Sequence, residues 1–317
     1  MGFIPSSAPH WHLVLNHFPS VGIVIVLGLL AVALYVRSDD LVKASLVLVV
    51  VLSLLAIPTF ITGGAARAAI DGNEGIETAL IQAHQDAAAF ALTLLLATGW
   101  VAWFALWQWR RFGRPHPWNV PIVLVLGLVT LATMVRTGSL GGDINHPEIH
   151  TGGELEAAAA NGSWTQGAAD WVMQNAGVWP TLEALHFMGM AVLFGVVLLV
   201  ALRIFGVVRH VPFNAFHRLL PLGVFGFMVN VVTGMLFFVV DYERYSTMTN
   251  SFFPKMALIA IGGIAVLYFT MFDRPWALKA GDRAPVGSKV AAAAVVLMWS
   301  GVMIYGRLLP YLEGAGG

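Results

Sequence analysis

Apolar residues along the chain are grouped into eight long runs, separated by shorter polar segments. The runs cover about residues 12–36, 42–63, 80–107, 119–138, 180–205, 217–241, 253–272 and 287–306. Each run is long enough to cross the hydrocarbon core of a bilayer as a helix, which takes roughly 20 residues. The pattern predicts an all-α integral membrane protein with eight transmembrane helices.

The predicted helices form four hairpins that share one plan. A basic residue near the start of the first helix, which is His17, His84, His186 or Lys255, is followed 45 to 53 residues later by a hydroxyl-glycine pair. His17 and His84 are 67 residues apart, and His186 and Lys255 are 69 apart. Such internal repeats are typical of duplicated bundles. We therefore expect two related four-helix bundles, at 1–138 and 180–317, joined by a polar connecting segment at 139–179 that contains a short interfacial helix at 170–180.

The composition and the distribution of charge fit this plan. Of the 317 residues, 58% are hydrophobic and only 11% are charged, which excludes an ordinary soluble domain. If the first, third, fifth and seventh connections are inside, twelve lysines and arginines lie inside and five outside. The positive-inside tendency then predicts a multi-pass protein of a bacterial inner membrane, with both termini in the periplasm and the first apolar run retained as a helix.

The side chains available for chemistry are mainly histidines. The chain has no cysteine, which excludes disulfides, thiolate metal sites, iron–sulfur clusters and covalent c-type haem attachment. Most of the ten histidines fall on the predicted outer side, at the helix ends or in the long connection: His10, His12, His17, His84, His146, His150 and His186. Ionisable groups within membrane spans indicate function unless they are structurally paired.

Histidines that point inward from separate helices at one depth are how four-helix bundles hold haem. We predict b-type haem, one or two copies, with His17 and His84 as the first pair of axial ligands. His186 is the predicted iron ligand of a second haem, opposite His12, His146 or His150, or else it lines a quinol pocket. A di-metal site at Glu183 and His186 is a further alternative, as is a purely structural role for each histidine near the headgroups.

Two basic residues are candidates to support these groups. Arg136 precedes a Thr-Gly pair and is predicted to pair with a haem propionate. Lys255 stands where the other three hairpins have histidine, and it is predicted either to extend toward the membrane surface or to pair with a propionate, a quinone oxygen or Glu183.

Short motifs in each half resemble known families. The first half, with HLVLNHFPS, TGGAA, the histidine at 84 and RTGSLGG, resembles uncharacterised bacterial four-helix membrane proteins with a His-x4-His-Phe-Pro opening. The second half, with ALHFMGMAVLFG, VVTGMLFF and NSFFPKMAL, resembles another such family, similar to copper-resistance D-type and cytochrome b561-like bundles. The resemblance implies a haem-binding or redox-linked membrane subunit, with His12, His17, His84 and His186 at the matching positions.

The expected function is that of a cytochrome b subunit of a respiratory complex. It would transfer electrons between quinone in the bilayer and a periplasmic cytochrome or redox enzyme subunit docked on the 139–179 segment, without catalytic groups of its own. No nucleic-acid partner is expected. Two alternatives remain: a cofactor-free copper transporter or assembly factor that uses the outer histidines and methionines, and a structural membrane subunit.

Overall fold

The computed structural model describes residues 7–73, 76–146, 162–241, 244–245, 250–271 and 273–312. Within these ranges the regular structure is helical, without strands, and eight helices are long and apolar enough to cross a membrane. The predicted all-α integral membrane fold is confirmed. The helices are α1 (Ala8–Leu15), α2 (His17–Tyr35), α3 (Asp39–Ile70), α4 (Thr78–Phe112), α5 (Asn119–Asn145), α6 (Trp164–Gln174), α7 (Val178–Phe205), α8 (Phe213–His217), α9 (Leu220–Val240), α10 (Phe252–Met271), α11 (Asp273–Trp276) and α12 (Val286–Leu312).

The helix ends follow local sequence signals. Ser38 caps α3, its side chain accepting a hydrogen bond from the Leu41 amide at 3.4 Å, and Asp39 and Asp40 follow in the first turn. Helix α4 ends at Gly113, whose φ of 78° is a left-handed conformation that favours glycine. These signals set where each apolar run stops being helical.

The chain forms two compact units. Unit 1 comprises Met1–Gly167 with Glu243–Thr249, and unit 2 comprises Ala168–Tyr242 with Asn250–Gly317. The histidine end of unit 1 is the end at which His84 lies, and that of unit 2 is the end at which His186 lies. The opposite end of each unit is called the far end. Each unit contains four of the eight spans, as the predicted pair of four-helix bundles requires.

In unit 1 the four spans pack in a closed ring. Helix α2 packs on α3, α3 on α4, α4 on α5, and α5 returns to α2, while the short α1 lies against α3. The approach of α3 and α4 depends on small residues, because a Cβ on Gly99 would lie only 2.1 Å from the Ser53 hydroxyl oxygen. Small residues let helix backbones approach closely where hydrophobic burial does not drive association.

In unit 2 the ring is less tight. Helix α7 packs on α9 and α12, and α10 packs on α12, but α9 and α10 make almost no close backbone approach over the described residues. These two helices meet through the stacked rings of Phe238 and Phe252, whose centroids are 6.0 Å apart. The equivalent helices of unit 1, α3 and α4, are closely packed. The two units therefore differ at the seam between their second and third spans.

A buried arginine organises the far end of unit 2. Arg203 is 0% exposed, and its guanidinium donates to the carbonyls of Val211, Lys279 (2.7 Å) and Asp282 (3.4 Å). The Gly281 amide also donates to the Arg209 carbonyl at 2.8 Å. The arginine thus ties together the backbones of two connections at the far end of the unit.

The connection between the units differs from the sequence prediction. Helix α5 continues to Asn145, into residues assigned to the connecting segment, and the short helix lies at Trp164–Gln174 rather than 170–180. Asp86 on α4 explains the earlier helix start, because its carboxylate accepts hydrogen bonds from the hydroxyls of Ser163 (3.0 Å) and Thr165. The indole of Trp164 donates to the Asp86 carbonyl at 3.1 Å. Position 150, a candidate histidine, lies outside the described residues.

Candidate cofactor site

The His12 ring is fixed against α3. Its Nδ1 is 2.9 Å from the carbonyl oxygen of Thr59, and a Cβ on Gly63 would lie 3.0 Å from its Cε1. A carbonyl oxygen only accepts hydrogen bonds, so Nδ1 must carry the proton. The neutral ring then has its lone pair on Nε2.

His84 repeats this arrangement against α5. Its Nδ1 is 2.9 Å from the carbonyl oxygen of Thr137, and a Cβ on Gly141 would lie 3.1 Å from its Cε1. The same argument places the proton on Nδ1 and the lone pair on Nε2. His12 and His84 belong to one unit.

His186 in unit 2 is held by a hydroxyl instead of a carbonyl. Its Nδ1 is 2.8 Å from Oγ1 of Thr233, which itself donates to the carbonyl of Val229 at 2.8 Å. Because that hydroxyl proton is already used, the hydroxyl oxygen accepts from Nδ1–H. The ring also makes an edge contact with Phe237 at a centroid distance of 5.6 Å. In all three rings Nε2 has no hydrogen bond to a residue that the structure describes.

The carbonyl contacts of His12 and His84 share a sequence signal that differs from the adjacent Thr-Gly pair. Thr59 and Gly63 are four residues apart, as are Thr137 and Gly141. In a helix the amide N–H of residue i+4 donates to the carbonyl oxygen of residue i, so residue i+4 lies beside that carbonyl. A glycine there leaves the carbonyl oxygen open to a second donor from the side. The spacing Thr-x3-Gly marks the positions where His12 and His84 dock, whereas His186 docks at the adjacent pair of Thr233 and Gly234.

In the first hairpin the ring that contacts the following span is that of His12, and the ligand role of His17 stays a prediction. The His17 ring is exposed, and its Nδ1 bonds the Leu13 carbonyl of the preceding helical segment at 2.9 Å. Helices α1 and α2 meet at Asn16, whose backbone stays helical (φ −62°, ψ −23°), and together they form the first span, Pro9–Tyr35. Because α1 packs against α3, the ring of His12 reaches Thr59, while that of His17 points away from the unit.

The remaining candidates lie as follows. Arg136 is exposed on α5 and makes no ion pair with a described residue, and His146 is exposed at the end of α5. Glu183 is exposed and does not pair with Lys255 in the part of the chain described. The proposed role of Arg136 toward a propionate stays a prediction.

Lys255 occupies the position of the fourth repeat. Its Nζ lies over the backbone of Gly306 on α12, where a Cβ would be 3.4 Å away, so it contacts a glycine as the three rings do. The sequence pair at 300–301 is not the contact, because Gly301 faces Leu258. Among the described residues no carboxylate pairs with this ammonium.

Three or more His, Asp or Glu side chains do not gather around a common point anywhere in the described ranges. The arrangement therefore does not supply the carboxylate-rich ligand set of a di-metal site at Glu183 and His186. A haem iron needs only two axial ligands, and in unit 1 His12 and His84 provide two imidazoles with available Nε2 atoms.

The fold and the site together define a multi-pass α-helical membrane protein whose imidazoles are oriented from the neighbouring helices. No protein-family model matches the chain, and no significant similarity is found to a curated protein or to a solved structure.

Proposed function

We propose that the protein is a membrane-embedded b-type cytochrome subunit that transfers electrons between quinone and a periplasmic redox partner. The observation that carries the proposal is the state of His12 and His84. These rings come from different helices of one four-helix unit, each with Nδ1–H bound to a threonine carbonyl and Nε2 without a partner among the described residues.

This state is better suited to a ligand than to a structural histidine. Both rings are half-buried within membrane spans, where an imidazole without a second partner is costly unless a ligand or water meets it. Ligating imidazoles almost always donate their other N–H to a carbonyl or carboxylate, which fixes the ring and raises its basicity. Thr59 and Thr137 would play that part for a haem iron.

The location of the redox partner on the periplasmic side is supported by the charge distribution. Twelve of the seventeen lysines and arginines lie in the connections at the far ends, so the histidine ends are assigned to the periplasmic side of a bacterial inner membrane. A haem at that depth lies near a partner docked on the 139–179 segment. A periplasmic cytochrome or the redox subunit of a respiratory complex is the proposed partner.

The first test is the absorption spectrum of the purified protein. We expect a reduced b-type α-band and one haem per chain bound by His12 and His84. The variants His12→Ala and His84→Ala should lose the band, whereas His10→Ala, at an exposed ring in the same segment, should keep it. Loss of the band in His17→Ala but not in His12→Ala would restore the ligand pair expected from the sequence. Absence of haem from protein expressed with excess haem would refute the proposal.

Copper handling is the second candidate, because Met188 is 64% exposed two residues after His186. Thioether and imidazole are ligands that suit Cu(I). Metal analysis of the same preparation separates the two: copper bound stoichiometrically and lost in Met188→Leu would favour transport or assembly. A preparation with neither iron nor copper would leave a structural subunit.

A further inference from the structure

We propose that the histidine-end half of unit 2 binds the head group of an isoprenoid quinone, with His186, Asn230, Lys255 and Trp299 as its polar residues. The inference rests on the proposed electron-transfer function and assigns its quinone to a site. Unit 1 then holds the haem and unit 2 the quinone.

The first observation is a pair of buried polar atoms without partners. Oδ1 of Asn230 and Nε1 of Trp299 are inaccessible to solvent, and neither has a hydrogen bond to a described residue. Trp299 as a whole is only 5% exposed. Native structures pair nearly all such groups, and an exception indicates a strained site or a missing ligand. Two exceptions in one half of one unit point to a ligand with polar groups.

The second observation is the depth at which the four polar groups lie. Asn230 precedes Thr233, the partner of His186, by about one turn, and it contacts the Gly189 backbone of α7. Trp299 packs edge-on against Phe227 at 5.8 Å and against Gly262 of α10. Lys255 lies seven residues before Gly262 on α10, and Gly306 lies seven residues after Trp299 on α12. Each is therefore about 10 Å along its helix axis from the level of Trp299. The four polar groups are thus spread over about the length of one aromatic ring plus a hydrogen bond at each end.

The third observation is the mixture of donors and acceptors. The indole of Trp299 and the ammonium of Lys255 donate, whereas Nε2 of His186 and Oδ1 of Asn230 accept. A quinone has two carbonyl oxygens on opposite edges of its ring and needs donors, and the corresponding quinol has two hydroxyls and needs acceptors. The set serves both redox forms. A phosphate or carboxylate head group would have no use for the two acceptors.

The seam between α9 and α10 is the route by which we expect the head group to enter. These helices make almost no close backbone approach over the described residues, whereas the equivalent seam of unit 1 is closed by Gly99 and Ser53. The side chains of Phe238 and Phe252 lie in this seam and would have to move apart to admit a ring. Toward the far end, the same four helices surround a small apolar cavity lined in part by Val197, Leu220, Val266 and Val295.

The test is binding of a short-chain ubiquinone or menaquinone analogue to the full-length protein in quinone-free nanodiscs, measured by titration calorimetry. Wild type should bind with one site per chain. Lys255→Met and Trp299→Phe should each weaken binding by about tenfold or more, as the loss of one hydrogen bond in a dry site does. Lys255→Arg should retain more affinity than Lys255→Met. Lys289→Met and Trp118→Phe, at exposed residues, are the matched controls and should bind as wild type does.

Each outcome separates this inference from the haem proposal, because the haem spectrum is recorded on the same samples. Quinone binding without haem would support the site and refute the cytochrome function, and haem without quinone binding would do the reverse. Equal affinity in wild type, Lys255→Met and Trp299→Phe would overturn the site. If Trp299→Phe does not fold, Asn230→Leu replaces it, with the same tenfold loss expected. Binding of anionic phospholipid in preference to the quinone analogue would also overturn it.

Discussion

The contact between each histidine and its glycine leads to a prediction that does not depend on the identity of the cofactor. We consider Gly63→Ala on α3. The added methyl carbon would lie 3.0 Å from Cε1 and 3.3 Å from Nδ1 of His12. Carbon atoms in contact are normally about 3.5–4.0 Å apart, so the ring must move by about half an ångström. The hydrogen bond from Nδ1 to Thr59, now 2.9 Å, would then be stretched or lost.

The expected cost follows from two opposing terms. Overpacking a tight contact costs about 1–3 kcal/mol, and replacing glycine by alanine inside a helix returns about 1 kcal/mol. Gly63→Ala should therefore destabilise the protein by about 1 kcal/mol, and Gly141→Ala, with a contact of 3.1 Å to His84, should do the same. Gly138→Ala is the control on α5, because nothing lies within 4 Å of its Cβ position, and it should be neutral or stabilising.

Thermal unfolding in nanodiscs, followed by tryptophan fluorescence, measures the differences. The order expected is Gly138→Ala at or above wild type, Gly234→Ala near wild type because its contact to His186 is 3.6 Å, and the Gly63 and Gly141 variants below. Equal midpoints for Gly63→Ala and Gly138→Ala would show that the rings are not held where the structure places them. The proton assignment on Nδ1 would then lose its basis.

Two further predictions concern packing away from the site. Arg203→Lys should destabilise the protein by about 3 kcal/mol in the same unfolding assay, because an ammonium cannot reach the three carbonyls that the guanidinium reaches; a loss no larger than that of the exposed Arg136→Lys would contradict it. Gly99→Ala should cost about 2–3 kcal/mol, because its Cβ would lie 2.1 Å from Oγ of Ser53, and Ser53→Gly should recover most of that loss in the double variant. Additive losses in the double variant would show that the two residues do not meet.

The eight spans could be predicted from the sequence because burial in lipid imposes length and composition on each helix separately. The choice between His12 and His17 could not be made in this way. Both lie at the same end of the first apolar run, and the difference between them arises from the packing of α1 on α3, which brings His12 to Thr59. Tertiary contacts of that kind are not visible in hydropathy.

The glycine partners show a second limit of the same type. The adjacent Thr-Gly pairs recur in the sequence and suggest a contact at each pair. Gly138 nevertheless has open space at its Cβ position, whereas Gly141 contacts the ring of His84. The relevant relation is between a carbonyl and the residue one turn later, which is a property of the helix and not of neighbouring letters. The bounds of α5 and α6 also differ from the prediction. The start of α6 depends on the hydrogen bond from Ser163 to Asp86, which is 77 residues away in the sequence.

The two units share the placement of a polar side chain over a glycine but differ in how their second and third spans pack. Both place a polar side chain over a glycine of the next helix, yet unit 1 closes its second seam with Gly99 and Ser53, while at the matching seam of unit 2 the rings of Phe238 and Phe252 stack. Under the proposed function, the closed ring with its two oriented imidazoles would fix the ligand geometry that iron requires. The looser ring would accommodate a quinone in both of its protonation states. The difference between the repeats would then match a division of labour between a fixed cofactor and a lipid-soluble carrier.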